Sequence, residues 1–281
     1  MNKNAQESKR IKQAYLGYSD QMLRKRFASP FALRRYVHRQ IFESVLKHIP
    51  KTALVADVGC GEGVLSMLMA KRGARVFAMD VSKANLKTAK DLAEREGVSH
   101  RVRFLLADAE RIPLKDKSVD LVVSSHVLEH LPDFDRGLNE LVRIARGKII
   151  VALPTCLNWC AVPLLGGGNY WKWSFVSPLH LLRGVLRIML NLHREGVDER
   201  YMGMDLPHIW RYPWATLKKF NRAGLSLSLI EASTLAPPYL LTYLPSLEGI
   251  YKFIDKTTRW KVLKYLGYGT TYVLEKKRKP L

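Results

Sequence analysis

Val55-Ala56-Asp57-Val58-Gly59-Cys60-Gly61-Glu62-Gly63 is the stretch from which the rest of the chain can be read. An apolar run of strand character meets Asp57, then three glycines at alternate positions, then the helical spacing of Leu65, Leu68 and Met69. Glycine permits a sharp turn and lets backbone approach a ligand that a Cβ would push away. A strand, a glycine turn and a helix in that order build a nucleotide pocket at the carboxyl edge of a parallel sheet. The spacing is G-x-G-x-G. The dinucleotide fingerprint would need its third glycine at position 64, which is Val64.

On either side the pattern repeats. Strand composition recurs at Leu54–Val58, Arg75–Met79, Val102–Leu106, Leu121–Ser124 and Lys148–Leu153, with helical periodicity near 64–72, 83–96 and 133–146. Strands alternating with helices predict an α/β fold, a doubly wound, mostly parallel sheet. Leu225–Ile230 and Thr270–Leu274 add two late strands, predicting seven in all with the last one antiparallel. Residues 1–50 read as a basic helical segment interrupted by Pro30, and 51–153 as the nucleotide-binding core. Residues 154–215 read as a cap insertion, and 216–281 as the C-terminal part of the sheet carrying a second insertion at 233–268. Long insertions in a compact fold are usually functional, and these are too aromatic for disorder.

The net charge of +21 is unevenly placed. Residues 1–52 hold 12 basic against 3 acidic side chains and residues 252–281 hold 9 against 2, whereas 53–150 are nearly balanced. Basic ends suit phosphate, in nucleic acid or in anionic lipid. Three cysteines, one of them inside the glycine turn, form no even framework and predict a reduced, cytoplasmic protein. The first residues have no apolar signal core, and no run of about 20 apolar residues predicts a spanning helix. The expected location is the cytoplasm or the inner face of the membrane.

Taken together, these residues resemble the class I S-adenosylmethionine-dependent methyltransferases, in the group acting on small molecules, quinones, lipids or glycans. The resemblance covers about residues 53–153, more weakly 207–232, and the glycine spacing favours S-adenosylmethionine over NAD. It implies a Rossmann-like fold and that Asp57, Gly59, Cys60 and Gly61 meet the methionine end of the cofactor. It further implies that Asp80, ending the second strand with Val81 after it, accepts hydrogen bonds from both ribose hydroxyls. Asp108-Ala109 match the pair along the adenine, and Asp120 to Leu131, with Ser124 and Ser125, match the fourth strand and its loop. Each alone has a plainer reading: Asp80 as a helix cap, Asp108 as a turn residue. Their joint order carries the resemblance. Arg146-Gly147-Lys148 replaces the Pro-Gly-Gly often found before the fifth strand, away from the cofactor.

His126-Val127-Leu128-Glu129-His130 spells H-x-x-E-H, which on a helix can present two histidines to zinc. Following a strand directly, it reads instead as a loop braced by Glu129 and His130, so no metal is expected. Ala236-Pro237-Pro238-Tyr239 lies far from the place where nucleic-acid amino-methylating enzymes carry Asn- or Asp-Pro-Pro-aromatic, and reads as a turn. Methyl transfer from a sulfonium needs alignment and exclusion of water, and needs a base only for a hydroxyl or acidic carbon. The histidines ranked for that role are His126, His208 and then His180, because imidazole titrates in the useful range. His208-Ile209-Trp210-Arg211-Tyr212 resembles the family's histidine-aromatic stretch before its final helix, here Trp214–Ala223.

The acceptor is addressed by residues 179–194. Polar or small positions fall at His180, Arg183, Gly184, Arg187, Asn191 and Arg194, one helical stripe, and the rest is apolar. Such a helix roofs a pocket or lies in a lipid interface with its arginines toward headgroups. Trp159, Tyr170, Trp171, Trp173 and Phe175 are types that favour a membrane's wet edge. The expectation is a methyltransferase for a lipophilic acceptor (lipid, quinone or lipid-linked glycan), peripheral on an anionic membrane. Two alternatives stand beside it, an RNA or other nucleic-acid methyltransferase and a non-catalytic cofactor-binding assembly factor.

Overall fold

A computed structural model describes residues 3–16, 18–19, 21, 26–30, 32–169, 173–200, 207–235, 248–257 and 264–277. In chain order the elements are α1 (Lys3–Leu16), α2 (Ala32–Leu46), β1 (Leu54–Val58), α3 (Val64–Lys71), β2 (Arg75–Asp80), α4 (Lys83–Arg95), β3 (Val102–Leu106) and β4 (Val119–Ser125). Then come α5 (Phe134–Ile144), β5 (Ala145–Leu153), α6 (Ala161–Leu165), α7 (Ser177–Leu190), β6 (Gly196–Arg200) and β7 (Pro207–Arg211). The chain continues through α8 (Pro213–Arg222), β8 (Leu225–Ala232), α9 (Glu248–Thr257) and β9 (Thr270–Lys276).

Seven strands form one sheet in the order β3-β2-β1-β4-β5-β9-β8. The first five are parallel, and β9 runs antiparallel to both β5 and β8. The last strand in the chain therefore sits inside the sheet, and β8 forms the edge. The run Leu54–Val58 has apolar residues on both faces because it is covered on both. Val55 joins the core made with α2, α3 and α4, while its neighbour Ala56 joins the opposite core made with α5 and α8. The strand order reverses between β1 and β4, and such a switch point leaves a crevice at the carboxyl ends of the strands.

The N-terminal segment, read as helical and interrupted at Pro30, holds two helices, α1 ending at Leu16 and α2 beginning at Ala32. Two sequence expectations shift. The helix expected over 133–146 stops at Ile144, since Ala145 already pairs with Val119 in the sheet. The hairpin β6–β7 has no counterpart in the sequence reading. Its Asp198-Glu199-Arg200 have poor strand propensity, and only the cross-strand partners on β7 hold them extended. Tyr170, Trp171, the Ala236–Tyr239 turn, Tyr243 and part of the basic insertion lie outside the described residues.

The cap has its own core of Cys156, Cys160, Ala161, Leu165, Val197, Trp210, Tyr212 and Ala215. Against it α7 packs with Gly184 and Arg187 inward, while Arg183 and Arg194 of the stripe are exposed. Gly184 lies so close to α6 that a Cβ there would stand 1.8 Å from the Val162 carbonyl oxygen. Arg187 donates to the Leu165 carbonyl at 3.0 Å and to Glu199 Oε2 at 2.6 Å, and Tyr212 Oη donates to the Ile188 carbonyl at 2.5 Å. The leucines consequently face outward: Leu179, Leu182, Leu186, Met189 and Leu190 are exposed, and Phe175 beside them is wholly so. This inverts the arrangement of an ordinary surface helix and corrects the expectation that its arginines as a group face outward, since Arg187 is spent on the cap.

Gly184→Ala is expected to destabilise the chain by about 1–3 kcal/mol, the usual cost of overpacking, because the clash is with backbone on α6 and neither helix can yield alone. Denaturant unfolding checks it, and a change inside about 0.5 kcal/mol would show that the two helices are not tightly seated.

Candidate active site

The carboxyl ends of β1, β2 and β4 supply the crevice. Gly59, Gly61 and Gly63 all take positive φ, at 77°, 55° and 76°. The Gly59 and Cys60 amides each donate to the Met79 carbonyl at 2.8 Å, tying the turn to the end of β2. The Gly61 amide then donates to Asp80 Oδ2 at 2.8 Å. The other oxygen, Oδ1, accepts from the Ser82 amide at 2.8 Å and from Asn85 Nδ2 at 3.4 Å. Asp80 therefore clamps the glycine turn to the start of α4, whose N-cap is Ser82, accepting from the Asn85 amide at 3.2 Å. A carboxylate has about four lone-pair sites, so these three donors leave room for at most one ribose hydroxyl.

Beneath the turn Asp57 is 1% exposed and accepts from Ser66 Oγ at 2.5 Å. Burial raises its carboxyl to about 7, the Ser66 hydrogen bond opposing that and the nearby Asp80 charge adding to it. A cationic ammonium group above it would draw that value down. Burial likewise pushes the Cys60 thiol well up, so it remains protonated. Asp108 lies past the end of β3, where its Oδ1 accepts from the Glu110 amide at 2.9 Å. Its turn role and its position beside Ala109 on the rim coexist. Ser124 is buried and Ser125 half-buried at the end of β4. The N-terminal segment reaches the same rim, with Ser82 Oγ donating to the Tyr18 carbonyl at 2.6 Å and the Tyr15 ring 6.1 Å from that of His130.

Immediately after β4 the chain reverses through His126, whose φ of 57° is left-handed. Such a conformation costs of order 1–3 kcal/mol for a non-glycine residue and persists where the surroundings impose it. Its amide donates to the Ala152 carbonyl at 2.8 Å. The reversal lays Val127 against Gly59, where an added Cβ would come 2.2 Å from Val127 Cγ2. Glu129 follows, its side chain 2% exposed, with His126 Nδ1 at 3.2 Å and His130 Nε2 at 4.0 Å from Oε1. From β7 comes His208, its ring 4.8 Å from that of His130 and T-shaped to it.

Three histidines thus converge on one buried carboxylate. Burial alone would raise Glu129, but the contact with His126 and the proximity of the neighbouring imidazoles outweigh it and hold the carboxyl at about 2. Burial lowers His208 to about 3, assisted by His130 and opposed by Glu129, so its ring is uncharged and a poor proton acceptor at neutral pH. His180 does not join them; it packs against Gly168 in the cap, where a Cβ would lie 2.7 Å from its Nδ1. The meeting of His208 with Glu129 is the part that sequence reasoning missed. The H-x-x-E-H signal and His208 were each visible, but nothing in the spacing showed that β7 brings His208 to Glu129.

Comparison with known proteins agrees with this geometry. Residues 56–151 match the family described as a methyltransferase domain. That segment is a class I methyltransferase domain. It runs from β1 to β5 and contains the glycine turn, Asp80, Asp108 and the histidine loop. The chain is 38% identical over 120 residues to the tocopherol O-methyltransferase of Arabidopsis thaliana, covering 42% of this chain and 33% of that protein. It is 30% identical over 169 residues to a ubiquinone biosynthesis O-methyltransferase of Methylocella silvestris, covering 55% and 65%. The matches to the first of these curated relatives thus span about a third of their length. Among solved structures, magnesium protoporphyrin IX methyltransferase of Synechocystis PCC 6803 superimposes with a TM-score of 0.58 at 15% identity, over 99% of this chain and 100% of that one. At that identity the likeness concerns the fold.

Proposed function

We propose that this chain transfers the methyl group of S-adenosylmethionine to a small lipophilic acceptor at a membrane surface. In this reading Asp57, Gly59, Cys60 and Gly61 border the methionine end of the donor, Asp80 and Val81 its ribose, and Asp108 and Ala109 its adenine, with Ser124 and Ser125 under the reacting sulfonium. His126 and His208 border the acceptor. The enzyme's work is alignment of the acceptor behind the methyl group and exclusion of water.

The observation that carries the membrane part is the outward apolar face of α7, continued by exposed Trp173, Phe175 and Val176. A contiguous apolar patch of this kind marks an interaction surface, and an amphipathic helix in that attitude buries its apolar side at the headgroup boundary. The chain's charge of +21 complements anionic lipid. Among the described residues no helix is long and apolar enough to cross a membrane. The names of the tocopherol and ubiquinone-biosynthesis relatives support a lipophilic acceptor.

The test is incubation of the purified chain with labelled S-adenosylmethionine and fractionated cell extract. Label is expected in the organic-soluble fraction of membranes. Label in RNA would replace the acceptor class with a nucleic acid, and donor binding with no transfer to any fraction would favour a non-catalytic binding protein.

A further inference from the structure

Folding assembles at the carboxyl rim of the sheet a donor set that is scattered in the sequence. Glu129 and His130 come from the turn after β4 and His208 from β7, and one ligand atom from each lies within 4.8 Å of the other two. The turn is a single short helical turn over Leu128–His130. H-x-x-E-H therefore does not stack its two histidines as a longer helix would, and the second imidazole comes instead from His208. Among the described residues neither Glu129 oxygen meets a donor in hydrogen-bonding geometry, although His126 Nδ1 stands close by. A buried carboxylate requires hydrogen-bond donors or a cation.

We propose that Glu129, His130 and His208 form a site for a divalent transition metal of the zinc type. Two imidazole nitrogens and one carboxylate oxygen are the three-ligand set of zinc sites that keep a fourth position open. Bonds of about 2.0–2.2 Å place tetrahedral ligand atoms roughly 3.4 Å apart, so the present spacing of up to 4.8 Å closes by as much as about 1.4 Å on binding. The His130 side chain is half-buried, with its Nε2 already 4.0 Å from Glu129 Oε1. His126 would then act as an outer partner of the ligating carboxylate, as such sites commonly have. The cluster adjoins the glycine turn through Val127, which packs against Gly59. Softer nitrogen ligands favour zinc, cobalt or iron over magnesium or calcium.

The experiment is a titration of the tag-free full chain, previously dialysed against chelator, with Co²⁺ followed by visible absorption. One equivalent is expected to give the intense d–d bands of four- or five-coordinate cobalt, abolished by Zn²⁺. Glu129→Gln and His208→Ala are each expected to weaken Co²⁺ by more than about 100-fold, and His126→Ala by the roughly 10- to 100-fold of an outer partner. His180→Ala, placed in the cap, leaves the affinity unchanged. Circular dichroism verifies that each variant is folded. If Glu129→Gln fails to fold, the wild-type titration and His130→Ala decide. Absence of stoichiometric Co²⁺ binding by the wild-type chain, or unchanged affinity in folded His208→Ala, overturns the site. Because the readout is metal absorption, it is independent of whether any acceptor is methylated.

Discussion

Asp80→Ala is expected to weaken S-adenosylmethionine binding by about 100-fold or more. A hydrogen bond from a ribose hydroxyl to an ionised carboxylate contributes about 1.5–3 kcal/mol, and each 1.4 kcal/mol is tenfold in affinity. The substitution also removes the acceptor of the Gly61 and Ser82 amides. The glycine turn then loses its clamp to α4 and has to be reordered on binding. Gly59→Ala should act through a different cause, since its φ of 77° is costly for alanine and the new Cβ would overlap Val127. Calorimetric titration with S-adenosylmethionine measures both. Undiminished affinity in Asp80→Ala would remove the ribose assignment, and undiminished affinity in Gly59→Ala would show that the turn is not in contact with the donor.

The second large effect belongs to α7. A triple variant, Leu182→Ser, Leu186→Ser and Leu190→Ser, is expected to lose about 100-fold in partition to anionic vesicles. The three side chains are 57%, 49% and 74% exposed. Full burial of a leucine is worth about 1.5–3 kcal/mol, so the part still exposed supplies roughly 1 kcal/mol apiece. Because these side chains face outward, unfolding free energy should change by no more than about 0.5 kcal/mol. Flotation at low and high salt separates the apolar contribution from that of the basic ends, since only the latter is screened. Equal flotation of the triple variant and the wild type would show that α7 is not the docking element.

Much of the fold was legible because a buried parallel strand followed by a glycine turn and a helix is a local pattern. Each core strand announced itself by its own apolar run, and each rim carboxylate by its place at a strand end. The cap was less legible. Its hairpin consists of polar residues held in extended conformation by partners on β7 rather than by propensity. The striped helix was seen, but periodicity reports only that two faces differ. It does not say which one the protein buries, and in α7 the side bearing Gly184 and Arg187 goes inward because Gly184 allows close contact with α6 and Arg187 finds Glu199 and two carbonyls.

By itself the sequence determined the five parallel strands and the glycine turn between β1 and α3, since these depend on spacing within single β–α units. Only the tertiary structure decided the outward face of α7 and the meeting of Glu129 and His130 with His208. Both depend on contacts between segments that are distant in the chain, where spacing carries no information and the geometry of packing makes the choice.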